Sequence, residues 1–166
     1  MIEFMLLSGP RCGTTWAANW LTTDTTLCIH DPLYEHHYTT LDDMESDKVL
    51  GVSCTGLFNF PEWVNKHPAR KIILRRPQGE ISASLEAIGL PDIQCEKKLE
   101  AINGTHVYWL ELFNNPIHIY ETLLQQPFDV ERHELLKSIH MQPTFEDITV
   151  NKQVTQKLVD EVRRAL

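Results

Sequence analysis

The chain has 166 residues, of which 42 % are hydrophobic and 23 % charged. That is enough to bury one core, and too apolar a composition for a disordered chain. Its 23 acidic residues outnumber 15 Lys and Arg, for a net charge of −8, which argues against non-specific binding to nucleic acid or to an anionic membrane.

Strand and helix signals alternate along the chain. Ile2–Leu7 reads as the first strand, Thr14–Trp20 as the first helix and Thr26–His30 as a short second strand. Lys48–Cys54 is a third strand, and Phe60–Lys66 a short helix with Pro61 at its start. Lys71–Leu74 (KIIL) is apolar throughout, as a strand covered on both faces should be. Glu80–Ile88 is helical, with Ile81, Leu85 and Ile88 on one face and Gly89 to stop it. Asp92–Phe113 reads as a longer helix bent near Asn103-Gly104, and Pro116–Tyr120 (PIHIY) as a fifth strand. Helices are expected at Val130–Ile139 and Asn151–Leu166.

This alternation predicts a single α/β domain over residues 1–166. The expected architecture is a three-layer, P-loop-like fold, with a central parallel sheet of about five strands and helices on both faces. Ligands of such sheets bind beyond the carboxyl ends of the strands. The rule aligns the Ser8–Thr15 loop, the residues after Cys54, and Arg75-Arg76 on one rim. No stretch approaches the ~18–20 apolar residues of a membrane span. The start is acidic at Glu3, unlike the basic start of a signal peptide. Cys12, Cys28, Cys54 and Cys95 lack metal-ligand spacing, so free thiols and a cytoplasmic location are expected.

The stretch LLSGPRCGTTWAANWL is the most informative. Strand, glycine-bearing loop and helix follow one another, the context in which a loop cradles an oxyanion. Gly13 permits close backbone approach, Thr14 and Thr15 offer hydroxyl donors, and Arg11 offers a two-pronged cation. The plainer reading is a strand-to-helix turn capped by Thr. Thr14 follows Gly13 where a nucleotide triphosphatase has Lys, which lowers the odds of ATP hydrolysis.

Pro10-Arg11-Cys12-Gly13-Thr14-Thr15-Trp16 resembles the phosphosulfate-binding loop of the sulfotransferases, with Cys12 in place of the usual Ser. Those enzymes move a sulfuryl group from 3′-phosphoadenosine 5′-phosphosulfate (PAPS) to a hydroxyl or amine, without a metal. Their second signature is an Arg at a strand end and a Ser eight residues on, which hold the 3′-phosphate. Arg76 and Ser84 fit that spacing, with Arg75/Ser82 as second choice; two arginines that merely end a strand are the alternative. Ile117–Leu124 is a softer match, similar to the family's strand followed by Tyr-Glu-x-Leu. The family's C-terminal Gly-rich segment has no counterpart, and Asn151-Lys152 is the nearest substitute.

The resemblance implies that Arg11 and Thr14 stabilise the leaving phosphate and the sulfuryl oxygens. It implies that Thr15 and the amides from Gly13 onward hold the 5′-phosphate, and that Trp16 stacks on adenine; core packing is the alternative for Trp16. The base is open. Cytosolic relatives carry a His after the third strand, where this chain has Ser53-Cys54-Thr55-Gly56. Some bacterial relatives place a Glu after the second strand, a description that Glu35 meets, with His30, Asp31, His36 and His37 as rivals. His67, His106, His118, His133 and His140 read as structural or exposed. The expected partner is a small-molecule or glycan acceptor. The competing expectation is a P-loop nucleotide- or phosphate-binding protein, kinase-like or degenerate, that transfers nothing.

Overall fold

The computed structural model of the protein describes residues 1–139, so the expected helix at 151–166 and the Asn151-Lys152 pair lie outside the described residues. Five strands pair in parallel: β1 (Phe4–Ser8), β2 (Thr26–His30), β3 (Val49–Cys54), β4 (Arg70–Arg75) and β5 (Thr105–Tyr108). Their spatial order is β2-β3-β1-β4-β5. All five residues of β1 are buried, as befits a central strand covered on both faces. Gly51 of β3 faces Phe4, and a Cβ there would stand 2.1 Å from the phenyl ring. Only glycine lets that ring lie flat on the neighbouring strand.

Helix α1 (Thr14–Trp20) crosses from β1 to β2, and α2 (Pro61–Lys66) from β3 to β4. The two crossovers run in opposite directions across the sheet. Right-handed crossovers, the rule for parallel strands, put such helices on opposite faces. The chain from β4 to β5 carries α3 (Gln78–Glu86) and α4 (Glu96–Glu100). After β5 come α5 (Glu111–Asn114), α6 (Ile117–Leu124) and α7 (Val130–Lys137). α6 packs on β1 and β4, and α7 packs on α1. Between them lies an aromatic cluster of Trp16, Trp20, Phe113, Tyr120, Phe128 and His133. The result is an α/β fold of three layers.

Two expected elements differ. The long helix over 92–113 is instead α4, β5 and α5. Thr105–Tyr108 pairs with Ile72–Arg75 along the open edge of β4. Those ladder bonds, formed with residues thirty positions away, outweigh the local helical pattern. The expected strand at Pro116–Tyr120 opens α6, with Pro116 at its N-cap. Its apolar alternation continues into Leu123 and Leu124, and buried Ile119, Tyr120, Leu123 and Leu124 make one helical face.

Register brings the strand ends to one level. Leu7 lies opposite Cys54 and Ile73, His30 opposite Ser53, and Arg75 opposite Tyr108. The chain leaves β1 toward one edge and β3 toward the other. The crevice above β1 is therefore the topological switch point.

Candidate functional site

The loop after β1 fills this crevice. Arg11 and Gly13 both have left-handed backbone, at φ 64° and 80°. Gly13 adopts that conformation freely, whereas Arg11 needs support from its surroundings. It has such support. Arg76 donates from Nη1 to the Arg11 carbonyl, and Arg11 Nε donates to Ser84 Oγ at 3.0 Å. Arg76 and Ser84, eight residues apart, therefore meet at one loop residue. Arg75 and Ser82 do not meet: Arg75 turns to Glu100 at 3.3 Å, and Ser82 donates to Asp92 at 2.7 Å.

Arg76 also lies over the Trp109 ring, 4.5 Å from its centroid, and pairs with Glu80 at 3.2 Å. Neither neighbour was foreseen. Glu80 was legible, standing four residues on in the helical register. Trp109 was not, because the strand that carries it to the rim had read as helix.

On the other side of the loop, His30 ends β2. Its Nε2 lies 3.2 Å from the Thr14 hydroxyl, 3.3 Å from the Thr15 hydroxyl and 3.3 Å from Asp31 Oδ2. The Asp31 carboxylate is almost buried and accepts from the Thr55 amide and the Thr55 hydroxyl. Asp31 itself has φ 43°. Ser53 Oγ donates to the Thr14 carbonyl at 2.9 Å, tying the start of α1 to β3. The segment after the third strand thus takes part through Thr55 and Ser53, as anchors for other groups.

The remaining expected site residues are placed differently. Glu35 and His36 are exposed beyond the 3₁₀ turn Pro32–Tyr34, and His37 contacts Thr39 at 2.7 Å. Pro10 is half-buried at the bend of the loop, its carbonyl facing Cys12 Sγ at 3.5 Å. Cys12 is fully buried, and burial, only partly offset by Arg76, pushes its thiol up to about 12. Trp16 is a core residue, 5 % exposed, with Nε1 donating to the Leu136 carbonyl at 3.0 Å. Its ring is enclosed by Trp20, Phe113 and His133 and does not reach the rim. Core packing, the alternative reading for Trp16, is what the structure shows: on a seven-residue helix packed on the sheet, this side chain faces inward.

The arrangement can hold an anion. Arg11 and Arg76 supply charge, and Thr14, Thr15 and Ser84 supply hydroxyls. At seven residues α1 is short, so side chains carry most of this task. Among the described residues no group of three or more His, Cys, Asp or Glu is placed to hold a metal ion, and no helix is long and apolar enough to cross a membrane. Compared with known proteins, the chain matches no family model and no curated protein.

Proposed function

We propose that this rim is the site of a PAPS-dependent sulfotransferase on a P-loop-like fold, which passes a sulfuryl group to a hydroxyl or amine. The observation that carries the reading is the meeting of Arg76, Ser84 and Arg11. Two sequence motifs 65 residues apart share one residue as their contact. An arginine that merely ended the strand would have no reason to reach the loop as Arg76 does.

The co-substrate supplies a sulfuryl group carried on a phosphate. Arg76 and Ser84 hold its 3′-phosphate. Arg11, Thr14 and Thr15 offset charge on the 5′-phosphate and sulfuryl oxygens, a task that needs fixed donors more than covalent chemistry. His30 is the base this geometry favours over Glu35. Its Nε2 already touches both threonine hydroxyls of the loop, whereas Glu35 is exposed beyond the next turn. The acceptor atom bonds to sulfur as the bridging oxygen departs with its electron pair on the phosphate. The acceptor proton goes to His30 Nε2, and the Asp31 carboxylate, 3.3 Å from that nitrogen, offsets the charge it gains.

The test compares 3′-phosphoadenosine 5′-phosphate (PAP) with AMP, which lacks only the 3′-phosphate. Arg76→Ala should weaken PAP about tenfold or more, the worth of a charged hydrogen bond, and leave AMP nearly unchanged. Equal losses for the two would remove the 3′-phosphate assignment. Binding of ATP or GTP in preference to PAP would favour the nucleotide-binding alternative.

A further inference from the structure

Beside His30 the structure holds a small cavity of about 160 Å³, lined by Asp31, Leu33, Tyr34, Thr55 and Gly56. It lies between the 3₁₀ turn after β2 and the turn after β3. It opens to solvent on one side, and its interior takes about one ring-sized group. Leu33 gives it an apolar wall. The Tyr34 ring, 88 % exposed, stands at its mouth with a face open to a second ring or a cation.

The charged group lining it is the Asp31 carboxylate. A carboxylate accepts at about four lone-pair positions. Two groups donate to this one, the Thr55 amide and the Thr55 hydroxyl, and His30 Nε2 stands 3.3 Å from its Oδ2. The two Thr55 donors are neutral, and the hydroxyl has a single proton to share between both oxygens, which lie 3.0 and 3.1 Å away. An acceptor position and a negative charge are therefore left toward the cavity. Asp31 is held there with left-handed backbone, a conformation kept by the Thr55 contacts. A second carboxylate or a sulfate brought into the cavity would meet this charge and the −8 of the whole chain.

We infer that this cavity is the acceptor subsite and selects a compact single-ring amine over an anionic acceptor. Its assignment to the acceptor rests on the sulfuryl-transfer reading; its preference for an amine rests on Asp31 alone.

The probes are tyramine and 4-hydroxyphenylacetate, with the same ring and opposite charge, titrated into the full chain by calorimetry alongside PAP. Tyramine should bind about tenfold or more tightly than the carboxylate. Asp31→Asn should narrow that preference to about twofold or less. A Cβ at Gly56 would stand 2.9 Å from Leu33 Cδ1, and φ there is −104°, so Gly56→Val crowds the cavity wall without backbone strain. It should abolish tyramine binding while PAP affinity stays within about twofold. Tyr34→Ala, at so exposed a position, leaves the fold intact and should weaken tyramine several-fold. Equal binding of the two probes, or tyramine binding that survives Gly56→Val, overturns the inference. If tyramine behaves as expected and PAP fails to bind, the amine pocket stands and the sulfuryl-transfer reading falls.

Discussion

Cys12 stands where the sulfotransferase loop usually has Ser, and its surroundings decide what that means. Buried, with the thiol raised to about 12, it stays protonated at any pH at which the protein would be assayed. Iodoacetamide at pH ~8 should therefore leave the native protein unlabelled at this residue, read by mass spectrometry. Cys12→Ser should be mild for activity, whereas Arg11→Ala should lower kcat some hundreds-fold by removing charge from the transition state. Loss of activity on alkylation, with Arg11→Ala active, would point to a cysteine mechanism instead. His30 and Glu35 are separated in the same way. His30→Gln should cut kcat by about 10²–10⁴ with PAP affinity nearly unchanged. Glu35→Gln, at an exposed side chain away from the loop, should leave kcat within about twofold. The opposite pattern would return the base to Glu35. Both candidates were legible in IHDPLYEHHY; choosing between them was not, since it turns on which residue the strand end delivers to the threonines.

At the scale of elements, a part-buried latch ties the start of the chain to the approach to β4. Asp42 accepts from the Ile2 amide at 2.8 Å and from His67 Nε2 at 2.9 Å. The other nitrogen of His67 accepts from the Ala69 amide, so Nε2 carries the proton and donates to Asp42. Burial works against the ionised carboxyl, but these donors outweigh it and hold Asp42 below its ordinary value of 3.8. A carboxyl lowered in the folded state adds stability that is fully present above its ordinary value. That stability is lost as pH falls through the folded value. Asp42→Asn should thus lower the urea midpoint at neutral pH and flatten its decline between about pH 5 and pH 2. An unchanged decline would assign acid sensitivity to other groups. No local pattern announces this latch; it exists because β1 and the segment before β4 lie side by side.

The molecule as a whole places its charge unevenly. A chain of net charge −8 gathers Arg11 and Arg76 at the switch point of the sheet, where β1 ends between β3 and β4. A ligand that binds only the folded state stabilises it in proportion to the logarithm of its concentration. PAP at a hundred times its Kd should add about 2.7 kcal/mol. For a chain of this size that raises Tm by roughly 5–10 °C. Inorganic sulfate at the same multiple of its own Kd gives the same shift, so the discriminating quantity is the concentration needed. On the proposed reading, in which PAP engages both halves of the rim, it should be far lower for PAP. Equal concentrations would reduce the site to a simple oxyanion loop.

Local chemistry alone settled much of this protein. β2 and α1 begin and end where TLCIH and the residues after Gly13 predict, because apolar runs, a loop glycine and helical spacing act over a few residues. The strand, glycine loop and helix around Gly13 were visible for the same reason, whereas Arg76 and Ser84 were singled out by the resemblance to the sulfotransferases. Tertiary structure decided the rest. Thr105–Tyr108 became a strand because β4 offered it an open edge, and Pro116–Tyr120 became helix because its apolar face was needed over β1 and β4. Trp16 went to the core rather than the rim because α1 lies flat on the sheet, with Phe113 and His133 closing over the ring. His30 came to the threonines, and Asp31 to Thr55, through the parallel pairing of β2 with β3. Spacing along the chain specifies which groups a segment carries; which groups meet depends on pairings between distant segments, and those are set by burial of the whole core.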